Sequence, residues 1–207
     1  MKKYELTTET KVVSGHTLYR IRALVAFGSV DTGELGGWIE KESNLAQDGN
    51  AWVYGNAWVY GSARVCGNAQ VCGNAWVCDN AQVYGNAWVY GNAQVCGNAW
   101  VCGNAQVYGN AQVCGNAEVC CNAQVCGNAW VCDNAAIMTI SHIGSRFGTT
   151  TFFVLKNGKI GVRCGCFYGD IDEFAAKVEQ THGNNQHGKA YKLAIELAKL
   201  RLQTRKE

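Results

Sequence analysis

Gly85-Asn86-Ala87-Trp88-Val89-Tyr90-Gly91-Asn92-Ala93-Gln94-Val95-Cys96 is one six-residue phrase written twice, and the phrase decides the fold. The register Gly-Asn-Ala-x-Val-x runs fourteen times over residues 49–132, with only Ser62, Asp79 and Cys121 breaking the Gly-Asn pair. A fifteenth copy begins at Asp133 and decays through Ile137. Self-similarity at a fixed short period marks a stacked-repeat architecture and outranks local propensity. Ala-x-Val-x alternates small-apolar, variable, branched-apolar, variable, which is a short strand with Ala and Val on one face. Gly-Asn supplies the bend, because both residues tolerate positive φ. Three strands close a triangular turn of three hexads, so hexads three apart stack at about 4.8 Å, and the tract makes a rod about 24 Å long.

The same stacking sorts the variable positions into three outward faces. The first carries Trp52, Gln70, Trp88, Gln106 and Gln124, and the second Trp58, Trp76, Gln94, Gln112 and Trp130. The third carries Arg64, Gln82, Trp100 and Glu118. Tyr and Cys alternate beside them, as in Tyr60, Cys78, Cys96, Cys114 and Cys132. Exposed aromatic rows of this kind mark an interface. A straight ladder of cysteines does not converge on a tetrahedral point, so no metal site is expected. Stacked neighbours do sit within disulfide-forming Cα distance.

Composition agrees with a periodic constraint: 207 residues hold 25 Gly, 12 Cys, 7 Trp and no Pro. After Lys2-Lys3 there is no apolar run, so the reading is neither a signal peptide nor a transmembrane span. A cytosolic location with reduced thiols is expected, in the host cell if the chain is phage-encoded. Net charge is +2, and the repeat carries only Arg64, Asp79 and Glu118. The tail from Ile140 is mildly basic, with 11 Lys and Arg against 6 Asp and Glu. DNA and membrane partners are not expected, and the acidity of a DNA mimic is missing.

The spacing of Val53 to Ala57 and Val71 to Ala75, an aliphatic residue followed four places later by a small one, resembles the hexapeptide-repeat superfamily. That resemblance implies a left-handed parallel β-helix with three strands per turn. Here Gly falls two places after Val, where the family more often has it one place after. The full pattern, preceded by Leu35-Gly36-Gly37-Trp38-Ile39-Glu40, is similar to repeat proteins encoded by bacteriophages and prophages, a group that brings no established activity with it.

The flanks complete a mainly β chain in three parts: an N-terminal β cap over residues 1–48, the repeat over 49–138, and a C-terminal ββαα domain over 139–207. Ile39 and Leu45 already fall in register with Ala51, so the rod begins irregularly before Gly49. In the tail, Thr150-Thr151-Phe152-Phe153-Val154-Leu155 and Ile160-Gly161-Val162-Arg163-Cys164 flank Asn157-Gly158, a hairpin signal. Asp170 with Glu173 reads as a capping box opening a helix that ends at Gly183. A second helix runs over residues 188–205, with Tyr191, Ala194, Ile195, Ala198 and Leu202 on one stripe.

Candidate binding residues are Trp52, Trp58, Trp76, Trp88, Trp100 and Trp130, together with Ser145, Arg146, Thr149 and Arg163. The loop Gly144-Ser145-Arg146-Phe147-Gly148-Thr149-Thr150 offers backbone donors, hydroxyls and a guanidinium suited to a phosphate, without the Lys and spacing of a P-loop. Cys164 and Cys166, with His142, His182 and His187, match no known catalytic or metal spacing.

Many proteins of the resembled superfamily are acyltransferases, and some are zinc enzymes of the γ-carbonic anhydrase type. Their histidines lie in or beside the coils, whereas no His occurs here between His16 and His142. The sequence therefore reads as a non-enzymatic phage-type interaction protein with no cofactor. Expected is a homo-oligomer, a trimer or dimer, assembled through the aromatic faces or the C-terminal domain. Inhibition of host antiviral defence, by gripping a host protein or sequestering a nucleotide, is the role the resemblance suggests. Alternatives are an acyltransferase-like enzyme and a phage structural component.

Overall fold

A computed structural model describes residues 2–133 and 136–203. Asn134 and Ala135 of the decaying repeat, and Arg205 of the second helix, lie outside the described residues. Strands β1 (Tyr4–Val13), β2 (His16–Ala23) and β3 (Leu35–Ile39) pair antiparallel in sequence. Fourteen two-residue strands follow, from β4 (Trp52–Val53) to β17 (Trp130–Val131). Then come β18 (Ile137–Ile143), β19 (Gly148–Val154), β20 (Ile160–Cys164) and β21 (Phe167–Asp170), and helices α1 (Ile171–His182) and α2 (Gln186–Gln203). The chain is mainly β: a parallel solenoid of about five turns, followed by a four-stranded antiparallel sheet and two helices.

Pairing follows the period of three hexads. Trp52 pairs with Gln70, Gln70 with Trp88, Trp88 with Gln106 and Gln106 with Gln124 on one face. Trp58, Trp76, Gln94, Gln112 and Trp130 line up on the next, and Arg64, Gln82, Trp100 and Glu118 on the third. Every Val and Ala of the fourteen repeats is buried inside. Backbone donors reach one turn ahead, as from Trp88 to the Ala105 carbonyl at 2.9 Å and from Tyr90 to Val107 at 2.9 Å. The small repetitive core is sufficient because each turn satisfies its neighbour's polar backbone.

The corner chemistry differs from the sequence reading in one respect. Only the first corner position takes the left-handed conformation, Gly at φ between 58° and 72° and Asp79 and Cys121 at 60° and 61°, and the Asn beside it does not. The Asn instead builds ladders: the Asn50 amide donates to Asn68 at 3.1 Å, Asn68 to Asn86 at 3.0 Å, Asn86 to Asn104 at 3.1 Å and Asn104 to Asn122 at 3.1 Å. At Gly91 an added Cβ would meet the Gly109 nitrogen at 3.1 Å, so the corners are crowded as well as left-handed. Cys121 stands in such a corner at φ 61° with a side chain in solvent. Cys121→Gly is expected to raise stability by about 1 kcal/mol, the usual penalty of a non-Gly left-handed residue. A thermal midpoint unchanged or lowered by that substitution would show the corner to be unstrained.

Both ends of the rod are closed. β3 pairs in parallel with the Trp58–Val59 strand, so the cap's sheet continues one face of the solenoid. Ile39 and Leu45 fill the first turn beside Val59 and Val65. Trp52 does not face solvent: it is fully buried, edge-on to Tyr4 at 6.0 Å and to Phe27 at 5.3 Å. Its outward position is occupied because the cap folds over the first turn, which the repeat alone does not announce. Lys3 lies over Phe27 at 4.8 Å and donates to the Ala51 carbonyl at 2.9 Å. Burial brings its ammonium down to about 8, against the opposing charge of Asp48.

At the other end the expected ββαα tail has four strands. Ile137–Ile143 and Phe167–Asp170 flank the expected hairpin in the order β18-β19-β20-β21. The sequence reads Ile137 as the end of the decaying repeat, and Phe167–Asp170 is only four residues long and runs straight into the cap of α1. Phe153 enters the solenoid core while its neighbour Phe152 enters a second core with Phe174, Val178, Tyr191 and Ile195. α1 opens on the Asp170–Glu173 capping box and closes at Gly183, and α2 buries its expected stripe. Among the described residues no helix is long and apolar enough to cross a membrane.

Candidate functional site

The tryptophans do not form free rows. Trp58 and Trp76 stack at 5.2 Å with planes 12° apart, and Trp38 stands above them through its pairing with Trp58. The Lys11 ammonium lies 4.5 Å from the Trp38 ring and 4.3 Å from the Trp58 ring. Burial, then the charge of Arg20, brings Lys11 down to about 8. This ladder is therefore built into the N-terminal cap. Trp38 escaped the sequence reading because it precedes Trp58 by twenty residues, two more than the period. Trp88, Trp100 and Trp130 remain about half exposed, at 45%, 44% and 46%, and each stands on a different face. No face presents a contiguous exposed tryptophan row.

A cavity of about 330 Å³ opens in the C-terminal domain between the β18–β19 turn, the β20–β21 turn and the two helices. Phe174, Val178 and Tyr191 give it a buried apolar floor, fixed by the edge-on packing of Phe174 against Tyr191 at 5.5 Å. Ser145 and Arg146 reach it from the first turn and Thr149 from the start of β19, Cys164 and Cys166 from the end of β20 and the turn after it, and Lys177 and His182 from α1. Gly144 is required under this wall, since any Cβ there would collide with the Tyr191 hydroxyl. The His182 ring stacks on Tyr191 at 5.6 Å.

The polar groups of the cavity are cationic or neutral. Arg146 and Lys177 stand exposed at the mouth, and no Asp or Glu is among the lining residues. Lys177 donates to the Gln180 side chain at 3.0 Å, while Arg146 makes no hydrogen bond or ion pair among the described residues. Deeper in, the Thr150 hydroxyl donates to the Cys164 sulfur at 3.1 Å, and the Tyr191 hydroxyl lies 3.6 Å from it. Burial, and then Cys164, pushes the Tyr191 phenol above its ordinary range. Neither hydroxyl is a general base at neutral pH, so neither of these two partners activates Cys164 as a nucleophile.

Of the residues expected to bind, Ser145, Arg146 and Thr149 come together here. Arg163 does not join them. Successive side chains of a strand point to opposite faces, and with Cys164 turned toward the helices Arg163 faces the solenoid. Its Nε donates to the Gln124 side chain at 3.0 Å and its Nη1 approaches the Cys166 carbonyl at 3.4 Å. Arg163 thus ties the last turns of the rod to the antiparallel sheet. Cys166 and His182 line the cavity, whereas His142 and His187 do not. Lys177 and Tyr191 were missed as ligand contacts. Lys177 follows Phe174 by one helical turn, so its position at the edge of the apolar stripe was available from the period.

The fold and this cavity together define a β-solenoid protein carrying an α/β domain at the end of its rod. The sequence model of the YdcK β-solenoid repeat matches residues 51–67, 81–97 and 93–109. The chain is also similar to a protein named "Uncharacterized acetyltransferase YdcK" of Escherichia coli (strain K12), at 39% identity over 62 residues. That stretch makes up 26% of this chain and 19% of the E. coli protein, so the match spans about a fifth of the relative's length.

Proposed function

We propose that the protein is a non-enzymatic binding protein in which the solenoid is a rigid arm and the C-terminal cavity takes a small ligand with an anionic head and an apolar body. The observation that carries this reading is the pairing of Arg146 and Lys177, with no lining carboxylate, above a floor of Phe174, Val178 and Tyr191. An unpaired guanidinium favours a planar anion, and the apolar floor favours a body that leaves water. Ser145 and Thr149 supply hydroxyl donors to the same head. Sequestration of such a ligand, a nucleotide among the candidates, is how the chain would serve the host-directed role implied by its phage-type resemblance.

Acyl transfer is the second reading, and the name of the E. coli relative favours it. Against it stands the solenoid, which is the part matched by the repeat model and which carries no histidine between His16 and His142.

Thermal unfolding in the presence of phenyl phosphate and inorganic phosphate tests the proposal. Phenyl phosphate is expected to raise the midpoint, with about 2.7 kcal/mol of added stability at a hundredfold excess over Kd. Arg146→Ala is expected to weaken binding by roughly 10- to 100-fold, the ~1.5–3 kcal/mol of a charge-assisted hydrogen bond. No midpoint shift with either anion would refute the reading, and release of free coenzyme A from acetyl-coenzyme A would favour acyl transfer instead.

A further inference from the structure

Cys78, Cys96, Cys114 and Cys132 follow the valines of one solenoid face, one turn apart. Parallel pairing of Trp76 with Gln94, Gln94 with Gln112 and Gln112 with Trp130 sets them in a single column. The backbone N–H groups of Cys78, Cys96 and Cys114 donate to the carbonyls of Val95, Val113 and Val131 at 3.0, 2.9 and 2.8 Å, so the column has no slack in register. Cys114 and Cys132 are joined by a disulfide, with Cα atoms 4.3 Å apart. This differs from the expectation of uniformly reduced thiols. Cys96 is a free, half-buried thiol on the rung beside Cys114, and Cys78 is buried beneath it against Tyr60 and Leu18.

The other faces lack such a run. Cys102 and Cys120 are adjacent on the third face, but Tyr84 separates them from Cys66. Tyr90 and Tyr108 separate Cys72 from Cys126 on the first.

We propose that the column is a thiol–disulfide exchange site, which accepts a low-molecular-weight disulfide and passes the resulting protein disulfide from rung to rung. Exchange proceeds by thiolate attack on a disulfide sulfur, with attacking and leaving sulfurs on opposite sides of it. In transfer the column provides that alignment, because Cys96 and Cys132 lie one turn to either side of Cys114. In loading, the Cys96 thiolate attacks one sulfur of a soluble disulfide RSSR; the RS–SR bond breaks and one RS⁻ leaves. The Cys114 thiolate then attacks the Cys96 sulfur of the mixed disulfide, forming Cys96–Cys114 and releasing the second RS⁻. Two protein thiols are oxidised, one RSSR is reduced, and the two thiol protons go to the two departing thiolates. In transfer, the Cys132 thiolate attacks Cys114, the Cys114–Cys132 bond forms, and Cys96 leaves with the electron pair and takes a proton from water. No further oxidant is needed.

Local electrostatics supports Cys96 as the point of entry. The Cys78 thiol hydrogen holds Cys96 down to about 7, against burial and the charge of Asp79, which push it up. Cys78 itself is pushed well above the ordinary thiol range, first by its bond to Cys96 and then by burial. The hydrogen bond thus makes Cys96 the more readily ionised thiol of the pair.

The test starts from fully reduced full-length protein incubated without oxygen in 2-hydroxyethyl disulfide, with disulfides located by fragmentation of the intact chain in a mass spectrometer. The wild type is expected to gain Cys114–Cys132. In Cys132→Ser the bond is expected at Cys96–Cys114 instead, and in Cys96→Ser loading of the column is expected to slow by roughly tenfold with loss of the low-pKa thiol. Circular dichroism checks that each variant keeps the solenoid, and serine is mild at positions where Tyr and Cys already interchange. The proposal is overturned if Cys132→Ser gains its disulfide only at Cys102–Cys120, or if mixed disulfides stay on the exposed Cys121 and Cys166 while the column remains reduced. An unchanged loading rate in Cys96→Ser would overturn it equally.

Discussion

Trp52→Ala is expected to lower stability by about 3–5 kcal/mol, whereas Trp88→Ala costs under about 1 kcal/mol. The two residues occupy the same repeat position on the same face, two turns apart, and Gln70 between them is paired to both. Their environments are opposite. Trp52 is fully enclosed by Tyr4, Phe27 and Ile21 from the cap, and Gly36 is bare because its Cβ would strike the Trp52 ring. Truncation leaves a void between cap and rod that neither can collapse into. Trp88 keeps 45% of its surface in water, and its main ring contact is the edge of Tyr90 at 6.4 Å. Urea unfolding followed by far-ultraviolet circular dichroism measures both. Equal losses at the two sites would mean that the cap does not close over the first turn.

Phe153→Ala is expected to cost a similar amount, about 3–5 kcal/mol, and to change the solution behaviour of the rod as well. Phe153 is fully buried in the core of the last turns, while Phe152 on the other face of the same strand belongs to the helix-covered core. One strand thus seals the solenoid with one phenylalanine and anchors the terminal domain with the next. Other contacts support the junction: the Gln124 N–H donates to the Thr151 hydroxyl at 3.1 Å, Arg163 holds the Gln124 side chain, Leu155 bridges to Ala129, and the Lys156 N–H reaches the Asn128 carbonyl at 3.4 Å. Loss of the Phe153 ring loosens the seal and bares the open edge of the terminal coil, a template for another chain. Light scattering during storage should show growing assemblies in Phe153→Ala and not in the conservative Phe153→Leu. A variant that stays as dispersed as the wild type would place the seal elsewhere.

The rod was legible because one constraint, a six-residue period, fixes strand, corner, face and stacking partner at once. Fourteen repeats leave no competing register, so the assignments of Trp58 to Trp76 or Trp100 to Glu118 needed no structure. What the period does not encode is where something covers it. Trp52 and Trp88 are identical in the repeat, and only the tertiary packing of Tyr4 and Phe27 separates them. The corner Asn was read as a conformational aid, yet its amide serves the turn above and below. That function depends on another residue one turn away and is invisible in a single hexad.

The cavity was partly legible for a similar reason. Ser145, Arg146 and Thr149 belong to one loop, and a loop of donors can be read locally. Arg163 was grouped with them by charge, although strand alternation at Arg163-Cys164 sends the two side chains to opposite sides of the sheet. Lys177 and Tyr191 arrive from helices some 30 and 45 residues further on, and only the docking of α1 and α2 on the sheet brings them in.

On the proposed function the terminal cavity, and not the aromatic surface of the solenoid, holds the ligand. Amide and indole resonances followed by nuclear magnetic resonance during titration with phenyl phosphate separate the two surfaces. Saturable shifts are expected, confined to residues 143–149, 164–167, 174–182 and 191 and abolished together by Arg146→Ala. Shifts centred on the indoles of Trp88, Trp100 or Trp130, with the cavity resonances unmoved, would contradict it.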